Sequence, residues 1–186
     1  MKSVVGLPAP TTQAFSDNNL INGRMPYDCT SPNSTTKPAD CKPAKYAKFR
    51  FRKGKKHLLR IMNVSSQGFQ RFSIDGMKMK VITNDFVPIE PYETDMLSIG
   101  IGQRADVIVE ATGDSKDAVW MRSDVSATCA VSYNGNAKAA VYYEHADTSK
   151  LPNTTATKYD DSYCGNVRQH PPNLRSTAPN PITRSH

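Results

Sequence analysis

The sequence predicts an all-β fold, a β-sandwich or barrel built mainly from antiparallel strands. Short apolar runs recur along the middle of the chain, and turn residues separate them at a spacing of about ten residues. No run shows a sustained helical period. The strands predicted in this way are 47–51, 57–65, 69–74, 77–84, 95–101, 104–111, 118–125 and 139–144.

The first two of these strands lie in a basic stretch, KYAKFRFRKGKKHLLR (45–60). Phe49 and Phe51 alternate with cations, so a period of two places the rings inside and the cations in water. We expect KGKK (53–56) to be the exposed turn of a hairpin. The net charge of +7 raises nucleic-acid binding as an alternative. Because the charges alternate with apolar residues, a solvated strand face is favoured and no nucleic-acid partner is expected.

The run IDGMKMKVI (74–82) raises a choice between a core strand and a metal site. Its alternation places Met77 and Met79 on one face and Lys78 and Lys80 on the other. Two thioethers are ligands that a soft metal such as copper accepts, but methionines also fill irregular cores. No cysteine or histidine lies nearby in the sequence, so we expect core packing.

The ends of the chain carry little apolar pattern. Residues 1–17 resemble a linker or the end of a preceding domain, 18–146 form the predicted domain, and 147–186 are expected to be a linker and a disordered tail. NNLING (18–23) is predicted as a short strand that runs into a turn, whereas VPIEPYET (87–94) and SYNGNAK (132–138) are predicted as turns. No apolar run approaches the roughly 20 residues of a membrane span, so no membrane partner is expected.

Cysteines and glycosylation sequons indicate an oxidising, secretory origin. A disulfide between Cys29 and Cys41 would close the polar loop 24–44 and stabilise the fold by roughly 3 kcal/mol. Cys129 and Cys164 pair either with each other or with cysteines in another domain. N-x-[ST] sequons begin at Asn33, Asn63 and Asn153. Asn63 lies inside a strand-like run, so only Asn33 and Asn153 are candidate glycosylation sites.

Four segments together resemble a known family. SDNNLINGRMPYDC, GKKHLLRIMNVSSQGFQRFSIDG, VITNDFVPIEPYETDMLSIGIGQRADVIVEA and AVWMRSDV occur in this order between residues 16 and 145. They resemble the second, or middle, cupredoxin-like domain of ascomycete-type laccases, which are multicopper oxidases. The resemblance implies a cupredoxin-like Greek-key sandwich from a family that is secreted, although no signal peptide is expected in this chain, because its N-terminus has no long apolar run. It further implies a fragment whose partners are the missing domains 1 and 3.

In that family the copper ions are bound in domains 1 and 3 by His-x-His and His-Cys-His motifs, and the enzyme couples phenol oxidation to reduction of dioxygen. This chain has His57, His145, His170 and His186 and none of these motifs. The resemblance therefore implies no catalytic residue, no metal site and no cofactor in this chain, which is expected to be inactive alone.

The resemblance also suggests residues near a phenolic substrate. Where relatives commonly carry a carboxylate that contacts the phenol, this chain has Gln67, and Phe69 follows on the same segment. A neutral amide can hydrogen-bond to a hydroxyl but cannot act as a base. Met77 stands where relatives often carry histidine, and Ala105 replaces a usual tyrosine.

The other residues of the matching motifs have structural interpretations. Arg60 and Arg104 are expected to be partly buried and paired with Asp106 or with backbone carbonyls, and Trp120 is expected in the core. The full set of structural candidates is Arg60, Asp75, Asp85, Gln103, Arg104, Asp106 and Trp120. Surfaces that relatives bury against domains 1 and 3 would be exposed and apolar.

Two functions from other classes remain open at this point. One is a standalone secreted binding module that uses the basic face for a polyanion or carbohydrate. The other is a copper protein that uses Met77, Met79 and a histidine.

Overall fold

The computed structural model describes residues 15–30, 41–42 and 44–159, and within these ranges all regular structure is β-strand. The strands are β1 (Phe15–Asn18), β2 (Ala47–Arg50), β3 (Lys56–Met62), β4 (Gln70–Ile74), β5 (Met79–Asn84), β6 (Val87–Thr94), β7 (Leu97–Ile99), β8 (Arg104–Glu110), β9 (Ala118–Val125), β10 (Val131–Asn134) and β11 (Asn136–Tyr142). The all-β prediction is confirmed.

The strands form two main sheets. One has five strands in the order β2-β11-β9-β4-β7, and the other has four in the order β3-β8-β5-β6. Neighbouring strands are antiparallel except for β2, which runs parallel to β11. A small parallel pair joins β1 to β10. Because many neighbours are distant in sequence, the chain crosses repeatedly between the sheets, as in a Greek-key sandwich.

The larger apolar core lies between the two main sheets, and a smaller cluster includes Trp120 and Tyr142. Alternate residues of β8 are buried, with Val107 and Val109 fully so, and they meet Ile74 and Val141 from the opposite sheet. Fully burying such side chains contributes roughly 1.5–3 kcal/mol each. One face of each sheet is thereby committed to the core.

Met79 is the first residue of β5, whereas Met77 lies in the turn before it, in an isolated bridge with Ile74. Met77 and Met79 are buried members of the core, and Lys78 and Lys80 are exposed. The core packing of both methionines is confirmed, but the strand begins at Met79 rather than at residue 77, because Met77 closes the turn that follows β4.

The basic stretch has the predicted faces but not the predicted hairpin. Phe51 is buried and the cations of KFRFR are exposed. However, β2 pairs with β11 in the five-stranded sheet and β3 pairs with β8 in the other. The turn after Arg52 therefore crosses from one sheet to the other. Alternation identifies which face of a strand is buried, but it does not identify the strand's partner.

Two predicted turns contain strands. VPIEPYET forms β6, which lies at the edge of the four-stranded sheet. Its prolines Pro88 and Pro91 suggested a turn, but an edge strand has backbone positions with no partner and tolerates the missing N–H. Residues of the predicted turn 132–138 likewise belong to β10 and β11.

The segment 18–23 contains the predicted turn, closed by Ile21 and Arg24, but the strand before it lies earlier than predicted, because β1 ends at Asn18. The disulfide Cys29–Cys41 is present, as predicted. Cys129 is disulfide-bonded as well, while Cys164 lies outside the described residues.

Residues 147–159 contain neither helix nor strand but make specific contacts with the domain, and the rest of the predicted tail lies beyond the described part of the chain.

Replacing Met77 by leucine tests the core interpretation. The two side chains have similar volume, so the substitution should lower the free energy of unfolding by less than about 1.5 kcal/mol. Met79→Ala should cost about 2–5 kcal/mol, because it leaves a cavity at a fully buried position. Urea denaturation of the two variants measures both values, and equal losses would contradict this packing.

Candidate functional site

Gln67 and Phe69 lie on one loop, residues 63–69, between the end of β3 and the start of β4. Both are half-buried. The ring of Phe69 lies against Gly100, where an added Cβ would come within 3.2 Å of the ring. The structure thus brings the two predicted pocket residues to the same end of the sandwich.

The conformation of this loop depends on Asn63, a residue that sequence analysis treated only as part of a sequon. Its buried side-chain amide donates to the carbonyls of Ile99 (3.0 Å) and Gly68 (3.3 Å). Its Oδ1 accepts from the backbone N–H (3.0 Å) and the hydroxyl (2.6 Å) of Ser65. Asn63 therefore satisfies backbone groups on both sides of the loop, as an Asx turn does.

The loop also requires glycine at position 68. Gly68 has a φ of +88°, and an added Cβ would lie 2.8 Å from the Cβ of Ala130. A side chain at this position would be strained and would clash. Asn63 and Gly68 together hold the segment that carries Gln67 in a fixed shape.

A second segment, residues 99–104, is bonded to this loop. The backbone of Asn63 accepts from the N–H of Gly102 (2.9 Å) and donates to the carbonyl of Gln103 (3.1 Å). The side-chain Oε1 of Gln103 accepts from the N–H of Gly100 at 2.7 Å. The structure thus places Gln103 as a brace of the turn that lies beside Phe69.

Arg104 and Asp85 connect this turn to the end of β5. Asp85 Oδ1 accepts from the N–H of Arg104 at 2.8 Å, and the Arg104 carbonyl accepts from the N–H of Asp85 at 2.9 Å. The guanidinium of Arg104 lies 4.1 Å from the ring centroid of Phe86 and donates to the carbonyl of Gly102 at 3.0 Å. Arg104 is half-buried, as expected, and its partners include a backbone carbonyl.

Arg60 differs from its expectation. It is exposed rather than partly buried, because β3 presents alternate side chains to water on the outer face of the four-stranded sheet. Asp106 stands opposite Arg60 in the register of β3 and β8, and its backbone N–H donates to the hydroxyl of Thr83 at 3.0 Å.

Four large apolar side chains around the loop are exposed. Their exposed fractions are 61% for Met62, 87% for Val64, 75% for Phe86 and 52% for Ile101. They are close together, because Arg104 stands opposite Met62 in the sheet and under the Phe86 ring, and Gly102 bonds to Asn63. We call this group the apolar rim. Grouped apolar side chains at the surface are typical of an interaction site.

Asp75 and Trp120 lie elsewhere, on the outer side of the five-stranded sheet. Trp120 is buried and packs on Tyr46, with ring centroids 4.9 Å apart. Asp75 accepts two hydrogen bonds from Arg122, at 2.8 Å each. Asp75 raises the pKa of the Arg122 guanidinium by this contact, so the arginine stays cationic. Arg122 is not among the candidates predicted from the sequence, because only the pairing of β4 with β9 places its side chain beside Asp75.

The donor set of the described residues does not fit copper. No three His, Cys, Asp or Glu side chains converge anywhere in the part of the chain that is described. The Nε2 of His57 accepts from the N–H of Arg52 at 3.1 Å, and its ring stacks on Phe51 with a 4.2 Å centroid separation. Met77 and Met79 belong to a cluster of buried apolar side chains, and copper sites need imidazole and thiolate ligands to converge on one point. His170 and His186 lie outside the described residues.

The remaining sequence features are located as follows. Asn153 is exposed, and Asn33 lies outside the described residues. Within residues 15–30, 41–42 and 44–159 no helix has the length and apolar character needed to cross a membrane.

Comparisons with known proteins agree with this architecture. The family model for multicopper oxidases matches residues 4–146. The chain belongs to the multicopper oxidase family. The chain is 38% identical over 156 residues to oxidoreductase OpS5 of Beauveria bassiana, covering 82% of this chain and 26% of that relative. It is 41% identical over 134 residues to laccase-2 of Botryotinia fuckeliana, covering 71% of this chain and 22% of the relative.

Among solved structures, the laccase from Botrytis aclada matches this multicopper oxidase chain with a TM-score of 0.68 and 37% identity. The match covers 78% of this chain and 26% of that laccase. The cupredoxin-like Greek-key prediction is thereby confirmed. The chain spans about a quarter of the length of the curated relatives it matches.

The role of Asn63 can be tested by replacement with alanine. The carbonyls of Ile99 and Gly68 would lose their donor, so the free energy of unfolding should fall by about 1–3 kcal/mol. Ser66→Ala, an exposed position on the same loop, is the matched control and should be nearly neutral. Denaturant titration that finds the two variants equally stable would show that Asn63 does not organise the loop.

Proposed function

We propose that this chain is the middle domain of a laccase-like multicopper oxidase, silent in catalysis on its own. In this role it forms one wall of a phenol pocket and packs against the domains that hold copper. One observation carries the proposal: a braced loop with Gln67 and Phe69 stands beside an exposed apolar rim, in a domain whose described residues offer no copper ligand set.

The apolar rim supports the packing role. Side chains such as Val64 and Phe86 are three-quarters or more exposed in the isolated chain. Covering them with another domain removes apolar surface from water, which stabilises the contact by about 25 cal/mol for each Å² buried. The extent of the match supports the same role, since the relatives contain about three quarters of their length outside it. The proposed partners are the other cupredoxin domains of such an enzyme.

The loop supports a role in orienting substrate rather than in proton transfer. Gln67 can donate to or accept from a phenolic hydroxyl, but its amide cannot take the proton at neutral pH. Phe69 offers an aromatic surface on the same loop. We therefore assign Gln67 and Phe69 to binding, with the redox chemistry supplied by copper in other domains.

We further propose that the protein is extracellular and is a glycoprotein. The disulfide Cys29–Cys41, the disulfide-bonded Cys129 and the exposed sequon at Asn153 support it, because such features accumulate in secreted proteins. Neither nucleic acid nor membrane is a proposed partner. The exposed cations at 48, 50 and 52 alternate with Phe49 and Phe51, and those at 53, 55 and 56 lie in the exposed turn or at the first residue of β3.

Metal analysis of the purified chain tests the catalytic part of the proposal. After incubation with copper and desalting, the folded chain should retain far less than one copper ion per molecule. It should also consume no oxygen when a phenol such as guaiacol is added. Circular dichroism typical of β-structure is the control for folding.

Retention of one or more copper ions per chain, or oxygen uptake with the phenol, would overturn the assignment. Salt-sensitive binding of the same sample to heparin, with log affinity falling linearly with log salt, would instead support a binding module for polyanions.

A further inference from the structure

We infer that residues 147–155 form a strap that closes over the outer face of the five-stranded sheet, with Thr154 as its latch. The strap follows the last strand, in a region where the sequence pattern predicts only linker. Its described contacts are with β2, β9, β11 and the turn after β4, so it belongs to the folded domain rather than to a free connection.

Thr154 lies beside β9 at a position that the neighbouring strand β4 is too short to reach. β9 runs Ala118–Val125, but its neighbour β4 ends at Ile74, opposite Met121. Beyond that point the carbonyl of Trp120 accepts from the N–H of Asp75 at 2.9 Å. The N–H of Trp120 donates to Oγ1 of Thr154 at 3.1 Å. The threonine hydroxyl thus replaces the acceptor that a longer β4 would provide.

The same hydroxyl completes a buried ion pair. Thr154 Oγ1 donates to Oδ2 of Asp75 at 2.7 Å, and the Thr154 carbonyl accepts from Arg122 at 3.1 Å. The side chains of Arg122 and Asp75 are only 11% and 1% exposed. A buried ion pair is favourable only when its remaining hydrogen-bonding capacity is satisfied. Thr154 therefore binds to both charged partners and to the neighbouring strand at once.

The rest of the strap is fixed at further points. The hydroxyl of Tyr142 donates to the carbonyl of Lys150 at 2.8 Å, and Lys48 Nζ donates to the carbonyl of Thr148 at 2.9 Å. Pro152 is buried, whereas Leu151 and Asn153 are exposed. The strap is held by backbone carbonyls and by one side-chain hydroxyl, so a single substitution can release its end.

Closure of the latch also builds one wall of a cleft. The cleft has a volume of about 350 Å³ and is lined by Asp75, Gly76, Met77, Val119, Tyr143, Thr154 and neighbouring residues. When the latch opens, the Trp120 N–H loses its acceptor, the Thr154 hydroxyl, and the Asp75–Arg122 pair meets water. Opening of the strap is thus linked to the environment of Trp120, the one tryptophan of the chain.

The test compares Thr154→Val with Thr155→Val in the full chain. Both replace a threonine by an isostere without the hydroxyl, but Thr155 is exposed. Trypsin cleavage after the exposed Lys150, measured under native conditions, reports opening of the strap. Thr154→Val should be cleaved roughly tenfold faster than wild type, since it loses hydrogen bonds to a charged group and to a strand. Its Trp120 emission should shift to longer wavelength.

Thr155→Val should match wild type in both readouts, and Thr154→Ser, which keeps the hydroxyl, should restore slow cleavage. Equal cleavage rates for the two valine variants, or unchanged Trp120 emission, would overturn the latch. If Thr154→Val does not fold, hydrogen exchange of the wild-type chain decides. Protection of the Trp120 amide by at least about a hundredfold supports the latch, and an unprotected amide contradicts it.

Discussion

Burial of one face of each main sheet in a shared apolar layer is the constraint on which this structure depends. Ile74, Val107 and Val141 are fully buried within it. Since side chains alternate along a strand, this layer decides which residues point outward. The two features to which we assign a role both lie where strands end. The loop after β3 carries Gln67 at one such end, and the turn after β4 carries Asp75 at another.

The two strand ends have opposite chemistry. Beside the loop 63–69, neutral amides brace the backbone, and large apolar side chains remain exposed in the rim. Beside Asp75, a buried ion pair is covered by the strap through Thr154. An exposed apolar surface is suited to contact with a further domain, whereas a satisfied polar network specifies one closed arrangement of the chain. We therefore assign association to the first end and closure to the second.

Local patterns in the sequence predict much of this fold. The alternation of Met77 with its lysine neighbours and the burial of Phe51 follow from a period of two, and proximity along the chain predicts Cys29–Cys41. The pairing of strands that are distant in the sequence cannot be predicted from such local patterns. β6 contains prolines that suggest a turn, because the sequence does not show which strand lies at an edge. The contact of Thr154 with Asp75 joins residues 79 positions apart.

Some residues of the candidate site can likewise be predicted from the sequence, and others cannot. The resemblance to laccases points to Gln67, but nothing in the local pattern distinguishes Asn63, whose side chain shapes the loop, from an ordinary polar residue in a strand. A short polar run that contains glycine after an apolar strand is the signal that could have found it, since asparagine often organises such turns. Arg60 is expected from its motif to be partly buried but is exposed, because its exposure depends on which face of the sheet meets water.

The central claim is that the apolar rim docks against other domains of a copper-containing oxidase, and a chimaera tests it most directly. In the Botrytis aclada laccase, the segment that matches this chain would be exchanged for residues 15–159. Copper content and phenol oxidation would then be measured with and without Val64→Asp and Ile101→Asp. We expect a copper-loaded, active chimaera that loses most of its turnover with the rim substitutions. It should keep its turnover with Leu58→Asp, an exposed apolar position outside the rim. Full turnover after charges are placed in the rim would contradict the account.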